Sequence, residues 1–200
     1  MKKLRKPIVV TLCLLLLCGV IYPLFLNGIS QLVFKDKANG SIIEINGKKV
    51  GSKLIGQKFT DKRFFVGRIS SINYNTYEKD ESYEKAASGS SNYGPSNKEL
   101  VERVKSDMDE FLKNNPGVKK EDIPADILTN SASGLDPNIS PKAAEIQIAR
   151  VVRETGLSKE EVEKIVDECT DKKSFGIFGE DRVNVLEANL KIASKLGIEI

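Results

Sequence analysis

From Pro7 to Phe34 the chain carries no charged side chain, and Leu, Ile and Val dominate between Ile8 and Leu26. A straight helix over that run reaches about 42 Å at 1.5 Å per residue. A bilayer's hydrocarbon core is about 30 Å thick, so one spanning helix fits with residues to spare. Pro23 is expected to kink this helix or to mark its arrival at the far interface, where Tyr22 and Phe25 suit the boundary. A cleaved signal peptide shares the basic start and apolar core. The run is too long for that reading, however, no small-x-small cleavage site follows it, and Leu17 ahead of Cys18 does not fit a lipoprotein site. The expectation is an uncleaved anchor.

Beyond the anchor the hydrophobic period changes. Ser41–Ile45 and Lys48–Gly51, joined by Asn46-Gly47, predict a β-hairpin, because both turn residues tolerate the positive φ of a type I′ turn. Lys53–Gln57 and Phe64–Val66 are further short strand candidates. Residues 67–96 show no periodicity and are rich in Ser, Asn, Tyr and Gly. Ser96 with Glu99 suggests a capping box, followed by Leu100, Val101, Val104, Met108, Phe111 and Leu112 at helical spacing and a stop at Asn115-Pro116-Gly117. Ser140-Pro141 starts a second helix bearing Ala144, Ile148, Val151 and Val152, ended by Gly156. Ser158 with Glu161 opens a third helix, and a last one is expected from about Val183 to Leu196 with Leu186, Leu190 and Ala193 inward. The soluble part reads as α+β: a small β-sheet first, then about four helices.

Charge narrows the function. Of 31 basic residues, Lys2, Lys3, Arg5 and Lys6 precede the anchor, and the rest nearly balance 28 acidic ones. The basic excess is thus a terminal tag, which argues against a nucleic-acid partner. On the positive-inside rule it sets the N-terminus in the cytoplasm and everything after about Phe34 outside. There is no histidine, and Cys169 is the only thiol beyond the anchor, so neither a metal centre nor a Ser–His pair can be assembled from the usual parts. A carboxylate pair of glycosidase type stays open, although nothing singles one out.

Two polar stretches stand out. Thr129–Pro141 contains Thr129, Ser131, Ser133, Gly134, Leu135 and Asp136 as candidate partner-contact residues, with Asp136 its only ionisable group. Pro137 and Pro141 stiffen it, so docking loses little entropy. Ser88, Gly89, Ser90, Ser91 and Asn92 form a small-residue loop that could expose amides to a phosphate, but it lacks the lysine and preceding strand of a phosphate-binding loop. Tyr74, Tyr77 and Tyr83, interleaved with Glu78, Asp80, Glu81 and Glu84, read as a partner-facing surface. Gly176–Glu180 reads as a turn. Arg150 and Arg153, three apart, read as a solvated helix face that could also pair with an anion. Asn27, Ser30 and Gln31 at the outer end of the anchor are expected to meet partner helices or headgroups.

The ordered blocks Tyr22-Pro23-Leu24, Ala38–Ser41, Gly51–Phe59, Phe65–Arg68, Ala87–Asn92, Leu128–Ala144, Gln147, Arg150-Val151 and Val183–Leu190 resemble the KdpC family, subunits of bacterial high-affinity potassium-transporting P-type ATPases. The family often has Arg-Pro-Ser where Arg68-Ile69-Ser70 stands and Ser-Gly-Gly-Ser where Ser88–Ser91 stands. The resemblance implies a non-catalytic subunit whose partners are a potassium-channel-like subunit and a P-type ATPase subunit, with membrane lipid around its anchor. It also implies ATP as the one conceivable cofactor, since the family is described as aiding ATP binding by the pump subunit. An external domain would not meet cytoplasmic ATP. The resulting expectation is a cytoplasmic tail over 1–6, an anchor over 7–34 and an extracytoplasmic domain over 35–200. It supports assembly, with potassium uptake or ATP binding as further possible roles. The alternative is an independent membrane-anchored binding protein or hydrolase.

Overall fold

The computed structural model describes residues 2–76 and 86–198, so Tyr77, Glu78, Asp80, Glu81, Tyr83 and Glu84 lie outside the described residues. The chain falls into two units, residues 1–52 and 53–200.

In the first unit, helix α1 (Lys2–Leu16) runs through a π-helical turn (Leu17–Ile21) into α2 (Tyr22–Val33). The stretch Leu4–Val33, 30 residues long, contains an 18-residue window of mean hydropathy 2.7, is long and apolar enough to cross a membrane, and has none of that window buried. Pro23 is the second residue of α2, and because the helix runs on from the π-turn its missing N–H leaves the preceding turn one donor short. A short α3 (Lys35–Ala38) follows, then strands β1 (Ile42–Ile45) and β2 (Lys48–Ser52). They pair antiparallel about Asn46 and Gly47, whose φ values of 52° and 76° give the type I′ turn expected from Asn-Gly.

The second unit is built around α4 (Lys98–Asn114), α5 (Ala125–Leu128), α6 (Pro141–Thr155), α7 (Lys159–Glu168) and α8 (Val185–Leu196). The α+β class holds, but the order "sheet, then helices" does not. A second sheet, β3 (Asn138–Ile139), β4 (Thr170–Asp171) and β5 (Arg182–Asn184), threads between the helices in the order β3-β5-β4, antiparallel throughout. Val183, expected to begin the last helix, instead pairs with Ile139 and Thr170, and α8 starts at Val185 under an Asn184 cap. Strands of two or three residues are too short to show a period-2 pattern.

Ser140 and Ser158 cap α6 and α7 as expected, the latter with the full reciprocal box through Glu161. The α4 cap is Asn97, not Ser96: its side chain accepts the Leu100 N–H at 3.1 Å. The core joins Phe65, Ile139, Val151, Val162, Val183, Leu186 and Ile192, each at most 2% exposed. Two strand candidates are corrected. Lys53–Ile55 forms a turn and a bend, and Phe64–Val66 lies outside every backbone ladder.

Candidate functional site

The loop from Thr129 to Pro141 holds its shape through its own side chains. Ser131 Oγ accepts the Gly134 N–H at 2.9 Å, Ser133 Oγ accepts that of Leu135 at 3.1 Å, and Asp136 Oδ1 accepts that of Asn138 at 2.9 Å. These are the local acceptor bonds that Ser and Asp offer turns. Gly134 takes φ +69°, and a Cβ there would meet Ile72 Cγ1 at 2.7 Å and Gly89 O at 2.9 Å. Glycine is therefore required both by the backbone and by the space.

Neighbouring segments pack onto this frame. The Ser70 hydroxyl donates to Gly134 O at 2.7 Å, the Gly56 N–H to Leu135 O at 2.9 Å and the Val185 N–H to Pro137 O at 3.0 Å. The second sequence candidate docks here too. The Gly89 N–H and the Ser88 hydroxyl both donate to Ser133 O, at 2.9 and 3.2 Å, and the Ser71 hydroxyl donates to Gly89 O at 2.8 Å. The two polar loops, far apart in the chain, form one surface. Thr129, Ser133, Ser91 and Asn92 are exposed on it, while Ser131 and Gly134 are buried and Leu135 and Asp136 half-buried.

Asp136 is not a lone carboxylate. Arg68 Nη1 donates to its Oδ2 at 3.0 Å, with both side chains about three-quarters covered. Arg68 Nη2 also approaches the Thr129 and Asn130 carbonyls at 3.4 Å. The Arg68 carbonyl in turn accepts the Tyr74 hydroxyl. Burial, reinforced by the nearby Asp136 charge, pushes the Tyr74 phenol up to about 12, so it is a donor at every physiological pH. Arg68 Nε is buried and, among the described residues, is the one buried side-chain nitrogen or oxygen without a hydrogen-bond partner.

Beside this surface lies a cleft of 520 Å³ lined by Ser70, Ser71, Ser90–Tyr93, Leu100, Arg103, Thr129 and Asn130. The Gly89 amide is spent on Ser133, the Ser90 hydroxyl donates to Asn92 Oδ1 at 2.8 Å, and Arg103 is already paired with Asp107 at 2.6 Å. Arg103, the one basic residue among those lining the cleft, is thus engaged by a carboxylate.

Arg150 corrects another expectation. It is 3% exposed rather than solvated, and donates to Asn115 Oδ1 (2.9 Å), Gln147 Oε1 (2.7 Å), Phe64 O (2.8 Å) and Lys62 O. Burial lowers its pKa to about 10, which still leaves it charged at neutral pH. Arg153 is the solvated one of the pair, bridged to Glu154 at 2.9 Å. Asn189 and Gln147, both fully buried, complete the same device by bonding the N–H and C=O of Phe65 and Val66. The only advance signal was polar residues on otherwise apolar helix faces.

In the anchor, Gln31 exchanges amide hydrogen bonds with Asn39 at 3.1 and 3.3 Å, while Asn27 is exposed on α2. Cys169 is buried at the end of α7, its thiol pushed up to about 11 by burial, and is inert on that ground. The turn expected over Gly176–Glu180 is present, closed by the Ser174–Phe178 bridge.

A family model described as KdpC, K+-transporting ATPase c chain, matches residues 4–194. Over 99% of its length the chain is 56% identical to a protein from Clostridioides difficile (strain 630) named potassium-transporting ATPase KdpC subunit, covering all of that relative. Proteins of the same name from Clostridium kluyveri and Caldanaerobacter subterraneus are 56% and 46% identical, each over 98% of this chain and 96% of the relative.

Proposed function

The chain belongs to the KdpC family of K+-transporting ATPase c chains, and from that premise we propose that it is a single-pass, non-catalytic subunit that assembles a potassium pump from the outer face of the membrane. The observation that carries this reading is the unburied apolar helix Leu4–Val33, with Lys2, Lys3, Arg5 and Lys6 at its N-terminal end. That asymmetry supports a cytoplasmic N-terminus and an extracytoplasmic folded part. Its partners are a potassium-channel-like subunit and a P-type ATPase subunit, and its anchor contacts lipid. A non-catalytic role is supported by a sequence without histidine and without the Asp-Lys-Thr-Gly motif that a phosphorylated pump subunit needs. An ATP-binding role gains no support from the cleft beside Ser88–Asn92.

The stiff polar surface of Thr129, Ser133, Ser91 and Asn92 is the contact face this reading assigns to the second unit. Its hydroxyls and amides suit a wet interface, and its internal bonds limit the entropy lost on docking. Affinity purification of the tagged full chain from membranes in mild detergent tests the proposal. Two large multi-spanning proteins should accompany it in fixed ratio. Recovery of the chain alone would instead favour an independent anchored binding protein.

A further inference from the structure

The middle of the anchor contains a fault in its backbone hydrogen bonding. The Tyr22 N–H donates to Leu17 O, five residues back, as a π-turn requires. From Ile21 onward the helix is α, so the Phe25 N–H is directed to Ile21 O. Three carbonyls, those of Cys18, Gly19 and Val20, stand between these two bonds. Only the Leu24 N–H remains to serve them, because Pro23 has none. Two carbonyls are thus left without a backbone donor.

Their position makes the fault costly. Cys18 and Gly19 lie halfway along Leu4–Val33, the depth at which a spanning helix has least access to water. Unsatisfied backbone groups cost several kcal/mol in hydrocarbon, and such breaks persist where a neighbouring helix or an ordered water supplies the bond. Gly19 leaves the approach open: nothing lies within 4 Å of where its Cβ would be. Pro23, Asn27 and Ser30 follow at i+4, i+8 and i+11, which places them on the same side of the helix as Gly19. One face therefore combines open carbonyls, a residue that permits close backbone approach, and side-chain amide and hydroxyl groups nearer the outer end.

We propose that the π-turn and Pro23 together form an acceptor site at mid-membrane that takes a hydrogen-bond donor side chain, a hydroxyl or an amide, from a membrane helix of another pump subunit. This rests on the subunit reading above and specifies which face of the anchor makes the contact. The π-turn is then an element of assembly rather than an irregularity of a tether.

The test is recovery of the complex by the full-length chain carrying Gly19→Leu, Pro23→Ala or Gly28→Leu, each checked for carbonate-resistant membrane insertion. Gly28, nine residues beyond Gly19, is about half a turn away and serves as the opposite-face control. Gly19→Leu should lower recovery roughly tenfold, the order expected for loss of an interhelical hydrogen bond with its packing. Pro23→Ala adds a backbone N–H without bulk at Gly19 and should lower recovery several-fold, while Gly28→Leu should match wild type. Loss with Gly19→Leu but wild-type recovery with Pro23→Ala would reduce the site to packing and overturn the proposal. So would equal loss in Gly28→Leu, or no loss in any variant, which would leave water serving the carbonyls. A wild-type chain recovered alone would overturn the subunit reading itself.

Discussion

Tyr74 shows how one residue ties the second unit's polar surface together. Its ring packs where Gly67 and Gly56 leave room: a Cβ on Gly67 would lie 2.8 Å from its hydroxyl and one on Gly56 2.8 Å from Cε1. The hydroxyl meanwhile donates to the Arg68 carbonyl, and Arg68 holds Asp136. Folding raises the phenol from about 10 to about 12, so the folded state keeps this proton more tightly than the unfolded chain. The stability it contributes is complete below pH 10 and is lost as pH rises from about 10 to about 12. Tyr74→Phe should cost about 1 kcal/mol at neutral pH through the lost hydrogen bond and should remove that alkaline component. Thermal unfolding of both proteins between pH 7 and 11 is the measurement, and parallel pH profiles would dismiss the linkage.

At the scale of elements, the segment Phe64–Val66 has the composition of a strand, yet its pairing is done by helices. Asn189 on α8 accepts the Phe65 N–H at 2.8 Å and donates to its carbonyl at 2.9 Å. Gln147 on α6 does the same for Val66 at 2.9 and 3.2 Å. Two side-chain amides thus replace a neighbouring strand and satisfy backbone groups that would otherwise be buried and unpaired. Asn189→Leu keeps the branched outline of the side chain but strips both bonds from Phe65. It should destabilise the chain by about 3 kcal/mol, since buried groups are left unsatisfied, as read from urea unfolding in detergent. A change under about 0.5 kcal/mol would show that the segment is held by Phe65 packing alone.

For the whole molecule the decisive property is sidedness. Lys119 is exposed in the second unit. In a chain lacking Cys13, Cys18 and Cys169, a cysteine replacing Lys119 should react with a membrane-impermeant thiol reagent in intact cells. Labelling only after permeabilisation would place this unit in the cytoplasm and return ATP to consideration. On the proposed topology Asn27 and Ser30 lie near the outer end of the apolar helix, and with the open carbonyls at mid-span they would give a tether the means to recognise a neighbour.

The sequence by itself was enough for features whose cause is local. The charge-free run sets a helix long and apolar enough to cross a membrane; Asn46-Gly47 fixes the hairpin turn; Ser140, Ser158 and Glu161 fix two helix starts through bonds to residues three positions away. The ordered blocks sufficed for the family. At the start of α4 the cap is Asn97 and not its neighbour Ser96, a choice of one residue that only the backbone geometry makes. Tertiary structure alone decided the rest. Asp136 has Arg68 as its partner, 68 residues away, and Phe65 has Asn189, 124 residues away. It also merged Ser88–Asn92 with Thr129–Pro141, and let strands of two and three residues exist because three of them meet. A buried polar group must be satisfied, but its own sequence neighbourhood does not say by whom; that partner is set when helices and loops distant in the chain pack around one core.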